Sequence, residues 1–366
     1  MQKIEQLDFF DHRFEFKGGE YVMSHVTQEE LNVRLVRIES ANGVVGWGEI
    51  VRKSSVDLKT AMESEKQVLD ALPGKSLSEI PAICAEIRTR GKMLMGLAFG
   101  LETAYLDWLG RQSYQPLHAL LGGQRSKRIP DYYSASCDTP EIMASKFQTE
   151  STGWPVVQVK LGVGGLDEDR KRLDVSLSSL SANQLSLMDF NGELDVESAL
   201  SVIAEYSAPR IVWEEPCDNL VDNTEVARRS GKPVMFDQCL DNLEAFTRAV
   251  SDGLAHSLCI KPPFLGGLGP ASTARDLCSA AGMRMRVDGP WCGHIASAAI
   301  LHLAVTIPPE LLVSGCDLRQ SFDLEEDWGG TQHLDRHMIS PLNQPGHGVL
   351  PPDSLNSVVC PNTPNH

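Results

Sequence analysis

The segment from VVQVK at 156–160 to LCIK at 258–261 decides the fold. Between these runs lie LSLMD at 185–189, IVWE at 211–214 and VMFD at 234–237, and each of the five ends on an ionisable residue. These charged ends lie 23 to 29 residues apart, and are Lys160, Asp189, Glu214, Asp237 and Lys261. One strand-and-helix unit of an α/β barrel takes roughly 30 residues, since eight make about 250. The spacing therefore predicts a barrel whose successive strands deliver these side chains to one mouth.

Apolar runs on either side of this segment extend the same pattern. Further strands are predicted at 131–134, 285–288 and 312–316, alternating with helical stretches. Residues 1–125 instead combine a strand of period two at 31–38 with an apolar helix at 93–109, which indicates a small α+β domain. The irregular chain after about 320 is expected to fold back on that domain, and the end at 360–366 to form a loose tail. An open doubly wound sheet also alternates in this way, but it concentrates ligands at one switch point.

Composition narrows the partners and the cellular compartment. The net charge of −16 argues against nucleic acid and anionic membrane surfaces. The nine cysteines form no CxxC pairs, and no nucleotide-binding glycine motif is present. There is no long apolar signal segment and no run of about 18 apolar residues that would span a membrane. We therefore expect a cytoplasmic homo-oligomer with reduced thiols that acts on a small molecule.

The three carboxylates at successive strand ends indicate a metal site. Asp189, Glu214 and Asp237 would repel one another unless a cation lay between them. Mg²⁺ accepts oxygen ligands in octahedral geometry and leaves positions for substrate. Zn²⁺ is disfavoured because no His or Cys shares the register. For a single acidic residue, a helix N-cap or a solvated loop is the alternative.

The two lysines lie on either side of the carboxylates in the sequence. Burial near a cation disfavours an ammonium, so we expect the pKa of Lys160 or Lys261 to be lowered toward neutrality, where it serves as a base. Such a pair suits abstraction of the proton α to a metal-bound carboxylate, followed by stabilisation of the enediolate. The alternative for Lys160 is a salt bridge to a barrel carboxylate.

These motifs together resemble the enolase superfamily, in its muconate-lactonizing-enzyme-like branch. The matching motifs occur in order, namely the capping motif Gly46-Trp47-Gly48-Glu49, Lys160 of the second strand, Asp189 with Asn191, Glu214 and Asp237 as metal ligands, and Lys261 with Gly266-Gly267. The resemblance implies a modified TIM barrel, (β/α)7β, at 126–319, and an α+β capping domain at 1–125 completed by 320–366. It also implies Mg²⁺ as cofactor. Two positions depart from the pattern, since Gln158 replaces the first lysine of K-x-K and Gln238 replaces a glutamate.

Within this branch the seventh and eighth strands carry specificity, and here the chain is most similar to enzymes acting on proline derivatives. Asp317 stands where betaine epimerases have an aromatic residue, and an aspartate suits an amine that still carries N–H donors. Asp288, Trp291 and Tyr21 are further candidates for substrate contact. The alternatives are an N-cap or an Arg319 ion pair for Asp317, an Arg286 ion pair for Asp288, core packing for Trp291 and a surface position for Tyr21.

The resemblance implies dehydration of cis-3-hydroxy-L-proline to Δ1-pyrroline-2-carboxylate, which makes the protein a hydro-lyase. A 2-epimerase or racemase acting on proline betaine, 4-hydroxyproline betaine or another amino-acid derivative would use the same catalytic residues. A catalytically silent barrel that serves as a binding protein is the third hypothesis, and the intact set of five charged residues argues against it.

Overall fold

The structure is a computed structural model that describes residues 2–22, 27–52, 58–181, 183–206 and 210–355. Its N-terminal unit is built from β1 (Ile4–Phe16), β2 (Tyr21–Val22), β3 (Thr27–Gln28), β4 (Glu30–Ser40), β5 (Val45–Ile50), α1 (Leu58–Leu69), α2 (Ile80–Thr89), α3 (Met95–Ser113) and α4 (Leu117–Leu120). Strands β1 and β4 form a long antiparallel ladder, and β5 continues it. The alternating burial of β4 follows from its period-two sequence.

The second unit begins after α4 and alternates strands with helices. It contains β6 (Ile129–Pro130), β7 (Tyr132–Ala135), α5 (Pro140–Glu150), β8 (Val156–Lys160), α6 (Leu166–Ser179), β9 (Leu185–Asp189), α7 (Val196–Glu205), β10 (Ile211–Glu214), α8 (Leu220–Ser230), β11 (Val234–Phe236), α9 (Leu243–Asp252), β12 (Ser257–Ile260), α10 (Pro262–Leu265), α11 (Leu268–Ala280), β13 (Arg284–Val287), α12 (His294–Ala304) and β14 (Leu312–Ser314). The short strands β15 (Phe322–Asp323), β16 (Thr331–Leu334) and β17 (Met338–Pro341) follow.

Strands β7 to β14 pair in chain order as one eight-stranded parallel sheet, which forms a nearly closed barrel. The predicted modified TIM barrel is therefore confirmed. Side chains alternate between the two faces of each strand. Val157 and Val159 pack outward against the helices, whereas Val156 joins an apolar layer inside the barrel. Gln158 and Lys160 share the alternation of Val156 and so face the barrel interior above that layer.

The chain after the barrel returns to the N-terminal sheet. Strand β15 pairs with β1, which places Phe322 opposite Phe16. The domain boundaries at 125 and 319 stay a prediction, and the tail at 360–366, including Cys360, lies outside the described residues. All cysteines in the described part of the chain are free thiols. Among the described residues, none of the helices has the length and apolar character needed to cross a membrane.

The capping motif holds the two units together. A Cβ atom at Gly48 would lie 1.9 Å from the carbonyl oxygen of Gly100, so glycine permits β5 to lie directly against α3. Glu49 is fully buried and accepts hydrogen bonds from the backbone N–H groups of Gly293 (2.5 Å) and Ala296 (3.1 Å). Burial raises the pKa of Glu49 to about 7, against the opposing effect of these hydrogen bonds. A carboxylate of the N-terminal unit thus caps α12 of the barrel.

Candidate active site

A cavity of about 520 Å³ lies at the carboxyl ends of the barrel strands, beneath the N-terminal unit. The barrel contributes Gln158, Lys160, Asp237, Lys261 and Asp288 to its lining, and the N-terminal unit contributes Tyr21, Gln28, Leu31 and Arg52. In barrels of this kind the loops after the strands build the active site. The cavity therefore has the position expected of one.

Both lysines line this cavity, and each contacts a strand-end carboxylate. Lys160 Nζ lies 2.5 Å from Asp189 Oδ2 and 3.3 Å from Asn191 Oδ1. Lys261 Nζ lies 2.7 Å from Asp237 Oδ2. Strands β8 and β12 are four apart among eight, so the lysines enter from opposite sides of the mouth.

The ion pairs of this arrangement act against the lowering of the lysine pKa that is expected beside a bound cation. Burial does lower the pKa of Lys160, but the charges of Asp189 and its neighbours outweigh burial, and the net shift is upward. For Lys261 too, burial is outweighed by Asp237, so its pKa also rises. The pattern of the sequence could not give the short distances that make these ion pairs dominate.

The three candidate metal ligands meet at the same end of the barrel. Asp189 is the register partner of Lys160 on one side and of Glu214 on the other. Burial raises the pKa of Glu214 to about 7, and the nearby charges of Asp189 and Asp237 add to the rise. Within the described ranges, no three acidic, His or Cys side chains stand close enough together to share a metal ion as they are placed. Each carboxylate is instead engaged by an ammonium, an amide or a guanidinium.

The chemistry of these residues nevertheless fits a hard divalent cation. All three candidate ligands offer carboxylate oxygens, which Mg²⁺ prefers. Asp237 Oδ1 is buried and has no hydrogen-bond partner among the described residues, so it retains full capacity to bind a cation. Such an ion would also offset the repulsion from Asp189 and Asp237 that helps to raise the pKa of Glu214.

Arg286 is the main residue that the sequence did not single out as part of the site. It is fully buried in the barrel, and its Nη1 donates to Glu214 Oε1 at 2.7 Å. Its Nη2 lies 2.7 Å from Asp288 Oδ2, and its guanidinium lies 4.2 Å from the ring centroid of Tyr132. The guanidinium therefore links a candidate metal ligand to a wall of the cavity. The available signal was the i, i+2 spacing of Arg286 on β13 and Asp288 directly after it, which places both side chains on the same face.

The three residues predicted to support the site behave differently. Gln158 donates to the carboxylates of Asp189 and Glu214, and Gln238 lines the cavity. Asn191 has a positive φ of 50°, and its backbone N–H donates to Asp189 Oδ1 at 2.8 Å. Sequence reasoning missed Glu215, which accepts from the backbone N–H groups of Asp237 and Cys239 at 2.6 and 2.7 Å. Glu215 thus fixes the loop that carries Asp237.

Three of the four predicted substrate contacts line the cavity, and the fourth does not. Asp288, Trp291 and Tyr21 are all part of the lining. Tyr21 is buried and packs edge-on to Trp291 at 4.8 Å between ring centroids, so it is not a surface aromatic. Asp288 forms the Arg286 ion pair and also borders the cavity, so its contact with substrate stays a prediction.

Asp317 forms the Arg319 ion pair and the helix N-cap, which are the two alternatives to a substrate contact that the sequence left open. It forms a bidentate ion pair with Arg319 at 2.8 and 2.7 Å, and it also accepts from the Arg319 backbone N–H as a helix cap. Although burial opposes it, Arg319 and His333 hold the pKa of Asp317 well below its usual range. Asp317 borders a smaller adjoining cavity of about 270 Å³, whereas Leu318 lines the main one. The turn that follows the eighth strand thus presents an apolar side chain to the site.

Comparisons with known proteins were made over the whole chain. Residues 143–354 match the family described as "Enolase C-terminal domain-like", and residues 14–122 match "Mandelate racemase / muconate lactonizing enzyme, N-terminal domain". The cis-3-hydroxy-L-proline dehydratase of Roseibium aggregatum is 27% identical over 95% of this chain and 96% of its own. The D-Ala-D/L-Ala epimerase of Cytophaga hutchinsonii is 25% identical, over 86% and 87% of the two chains.

Solved structures give the same result for the fold. A structure from Roseovarius nubinhibens, assigned to the mandelate racemase/muconate lactonizing enzymes and complexed with magnesium, is similar with a TM-score of 0.88. It is 26% identical, and the similarity covers 97% of this chain and 99% of that one. Both dehydratases and epimerases therefore stand among the proteins that this chain resembles along most of its length.

Proposed function

The chain belongs to the enolase superfamily, as a relative of the mandelate racemases and muconate lactonizing enzymes, and on this basis we propose that it abstracts the α-proton of an amino-acid carboxylate. The observation that carries the proposal is the placement of Lys160 and Lys261 on opposite sides of one cavity, each beside a carboxylate. A substrate carbon held between them could lose a proton on one face and meet an acid on the other.

Asp189, Glu214 and Asp237 would hold Mg²⁺ in this proposal. The support is their oxygen-only chemistry, the unpartnered Asp237 Oδ1 and the magnesium complex of a structural relative. When bound, Mg²⁺ would hold the substrate carboxylate, stabilise the enediolate charge and compete with the lysines for Asp189 and Asp237. The remaining steps belong to the side chains of the protein.

The proposed reaction is the dehydration of cis-3-hydroxy-L-proline. One lysine, in its neutral form, takes the α-proton, and the electron pair of the broken C–H bond passes into the enediolate. The enediolate electrons then form a double bond between Cα and Cβ as the bond from Cβ to the hydroxyl breaks. The hydroxyl leaves as water with a proton from an acid of the site. The enamine then tautomerises to Δ1-pyrroline-2-carboxylate. The 27% identity to a cis-3-hydroxy-L-proline dehydratase supports this substrate.

The test is direct, because the product is an imine. Incubation of the Mg²⁺-loaded protein with cis-3-hydroxy-L-proline should give a chromophore with o-aminobenzaldehyde. Treatment with EDTA should remove the activity, and Mg²⁺ should restore it. If no imine forms from this substrate although a betaine exchanges its α-proton in D₂O, the dehydratase proposal fails.

A 2-epimerase is the second candidate, and one observation favours it. The argument for a nitrogen with N–H donors depended on Asp317, which is paired with Arg319 outside the main cavity. The aromatic rings of Trp291 and Tyr21 border that cavity and could contact a quaternary ammonium through cation–π interactions. In that reaction the opposite lysine returns a proton to Cα. The cytoplasmic location, the homo-oligomer and the exclusion of nucleic acid remain predictions.

A further inference from the structure

Hydrogen bonds connect a tyrosine of the N-terminal unit to the candidate metal ligands. Tyr21 Oη lies 2.5 Å from Ser134 Oγ, and Ser134 Oγ lies 2.8 Å from Gln158 Oε1. At its other end, Gln158 Nε2 donates to Asp189 Oδ2 at 3.0 Å and to Glu214 Oε2 at 2.9 Å. Tyr21, Ser134 and Gln158 all line the main cavity. We call these three residues the Tyr21 chain.

The chemistry of the groups fixes the direction of each hydrogen bond. Asp189 Oδ2 accepts from the Lys160 ammonium, so the Gln158 atom that contacts Asp189 Oδ2 must be its donating amide nitrogen, which also lies against Glu214. Its oxygen then faces Ser134, which donates its single hydroxyl hydrogen to that oxygen. Ser134 can therefore only accept from Tyr21, and the Tyr21 hydroxyl must be the donor in that contact. Its oxygen is left as an acceptor toward any further group.

The register of the barrel makes this arrangement specific to Gln158. Ser134 on β7 is the direct register partner of Gln158 on β8, so the two side chains meet at neighbouring positions of the inner face. A lysine, which the family resemblance leads one to expect at 158, carries donors only. It could still contact the carboxylates, but it could not accept the Ser134 hydrogen. The amide serves both contacts at once.

We propose that Gln158 is a positioning residue which, through Ser134, makes Tyr21 a hydrogen-bond acceptor, so that the site favours a ligand with an N–H or O–H donor beside Tyr21. The inference rests on the proposed function, because it concerns the ligand of the same cavity. It favours a secondary ammonium over its N-methylated counterpart, since a quaternary nitrogen has no hydrogen to donate. It therefore supplies the discrimination that Asp317 was expected to provide.

The ligand preference is tested by calorimetry on the Mg²⁺-loaded protein with L-proline and N,N-dimethyl-L-proline. The wild type should bind L-proline more tightly. Tyr21→Phe, Ser134→Ala and Gln158→Lys should each reduce that preference by about five- to tenfold, the value of one hydrogen bond. The double variant Ser134→Ala/Tyr21→Phe should lose no more than either single variant, because both break the same chain. An unchanged preference in Gln158→Lys overturns the proposal.

A matched control separates this effect from a general loss of tyrosine hydroxyls. Tyr133 is adjacent to Ser134 on β7, and its hydroxyl donates to Glu150 at 2.7 Å, outside the main cavity. Tyr133→Phe should leave the preference for L-proline as it is in the wild type. A loss in Tyr133→Phe as large as that in Tyr21→Phe contradicts the proposal.

A second measurement needs no ligand, so it remains decisive if the proposed function fails. In protein labelled at tyrosine Cζ with ¹³C, the Tyr21 signal is assigned by its disappearance in Tyr21→Phe. Its chemical shift should change in Ser134→Ala and in Gln158→Lys, with folding checked by circular dichroism. If neither proline ligand binds, the proposed function fails. The positioning role of Gln158 is then still tested by the chemical shift of Tyr21. An unchanged Tyr21 chemical shift in Gln158→Lys would contradict the positioning role of Gln158.

Discussion

The two sides of the cavity are built on different principles. On the β8–β10 side (Gln158, Lys160, Asp189 and Glu214), the residues lie at or near the ends of neighbouring strands and contact one another directly. On the β12–β14 side (Lys261, Arg286, Asp288 and Leu318), Lys261 has one carboxylate partner, and the other polar groups depend on a buried arginine. Arg286 joins the two sides through Glu214. The difference indicates that strand pairing positions the side chains of the first side, whereas the guanidinium of Arg286 positions those of the second.

The largest expected effect comes from removing either lysine, which tests whether the two sides act together. Lys160→Ala and Lys261→Ala should each lower imine formation about a thousandfold, because each removes a proton-transfer group. The assay is the o-aminobenzaldehyde chromophore with cis-3-hydroxy-L-proline. Lys146→Ala is the matched control, since Lys146 pairs with Asp138 at 2.6 Å and does not line the cavity. Wild-type turnover in both active-site variants would contradict a proton-transfer role for the lysines. No imine from any of these proteins, the wild type included, would favour the silent-barrel hypothesis.

Breaking the link between the two sides should strongly destabilise the protein. Arg286→Met leaves the carboxylates of Glu214 and Asp288 buried without their cation, and we expect a loss of about 3 kcal/mol or more in the free energy of unfolding. Urea unfolding in EDTA measures it. Arg128→Met removes an exposed ion pair with Asp335 and should cost far less. Equal losses in the two variants would show that Arg286 does not join the sides.

The N-terminal unit supports the second side through Glu49, and pH tests this contact. The folded-state pKa of Glu49 is about 7, above its ordinary value of 4.5, so its contribution to stability is present at low pH and is lost as the pH rises. Between pH 5 and 7 the wild type should lose about 2 kcal/mol more than Glu49→Gln, which keeps an acceptor without titrating. Urea unfolding at both values measures the difference. Identical pH profiles would refute the buried cap.

The smallest expected effect sharpens the description of the second side. Asp288→Asn should raise the KM for an amino-acid substrate about tenfold, because Asp288 borders the cavity. In Asp317→Asn, steady-state kinetics should give a smaller change in KM, since both oxygens of Asp317 are engaged by Arg319 and His333. A larger KM change in Asp317→Asn would restore the interpretation made from the sequence.

Residues that end regular strands could be predicted from the sequence. Strands β8, β9 and β10 have the predicted bounds, and their charged ends meet as the spacing indicates. The predicted strand at 312–316 ends at Ser314, and beyond it the alternation of faces no longer holds. Asp317 therefore caps a turn, and Leu318 reaches the cavity.

Residues whose role depends on a partner far along the chain could not be predicted. Arg286 lies in the short strand β13, where arginines alternate with apolar residues, and its contact with Glu214 joins residues 72 apart. The connection from Gln158 through Ser134 to Tyr21 likewise joins three strands. The sequence alone shows only that a neutral glutamine replaces a charged lysine. The upward shifts of the lysine pKa values follow from ion-pair distances, which spacing along a strand does not contain.

The most direct test of the account is α-proton exchange with solvent. The Mg²⁺-loaded wild type is incubated with L-proline in D₂O, and deuterium at Cα is followed by NMR. This substrate has no β-hydroxyl, so exchange reports on proton transfer without dehydration. We expect exchange in the wild type, and a loss of about a hundredfold or more in whichever of Lys160→Ala and Lys261→Ala lacks the lysine that faces the α-proton, with Lys146→Ala unaffected. Exchange that continues at the wild-type rate in both active-site variants would contradict the proposal that these lysines move the α-proton.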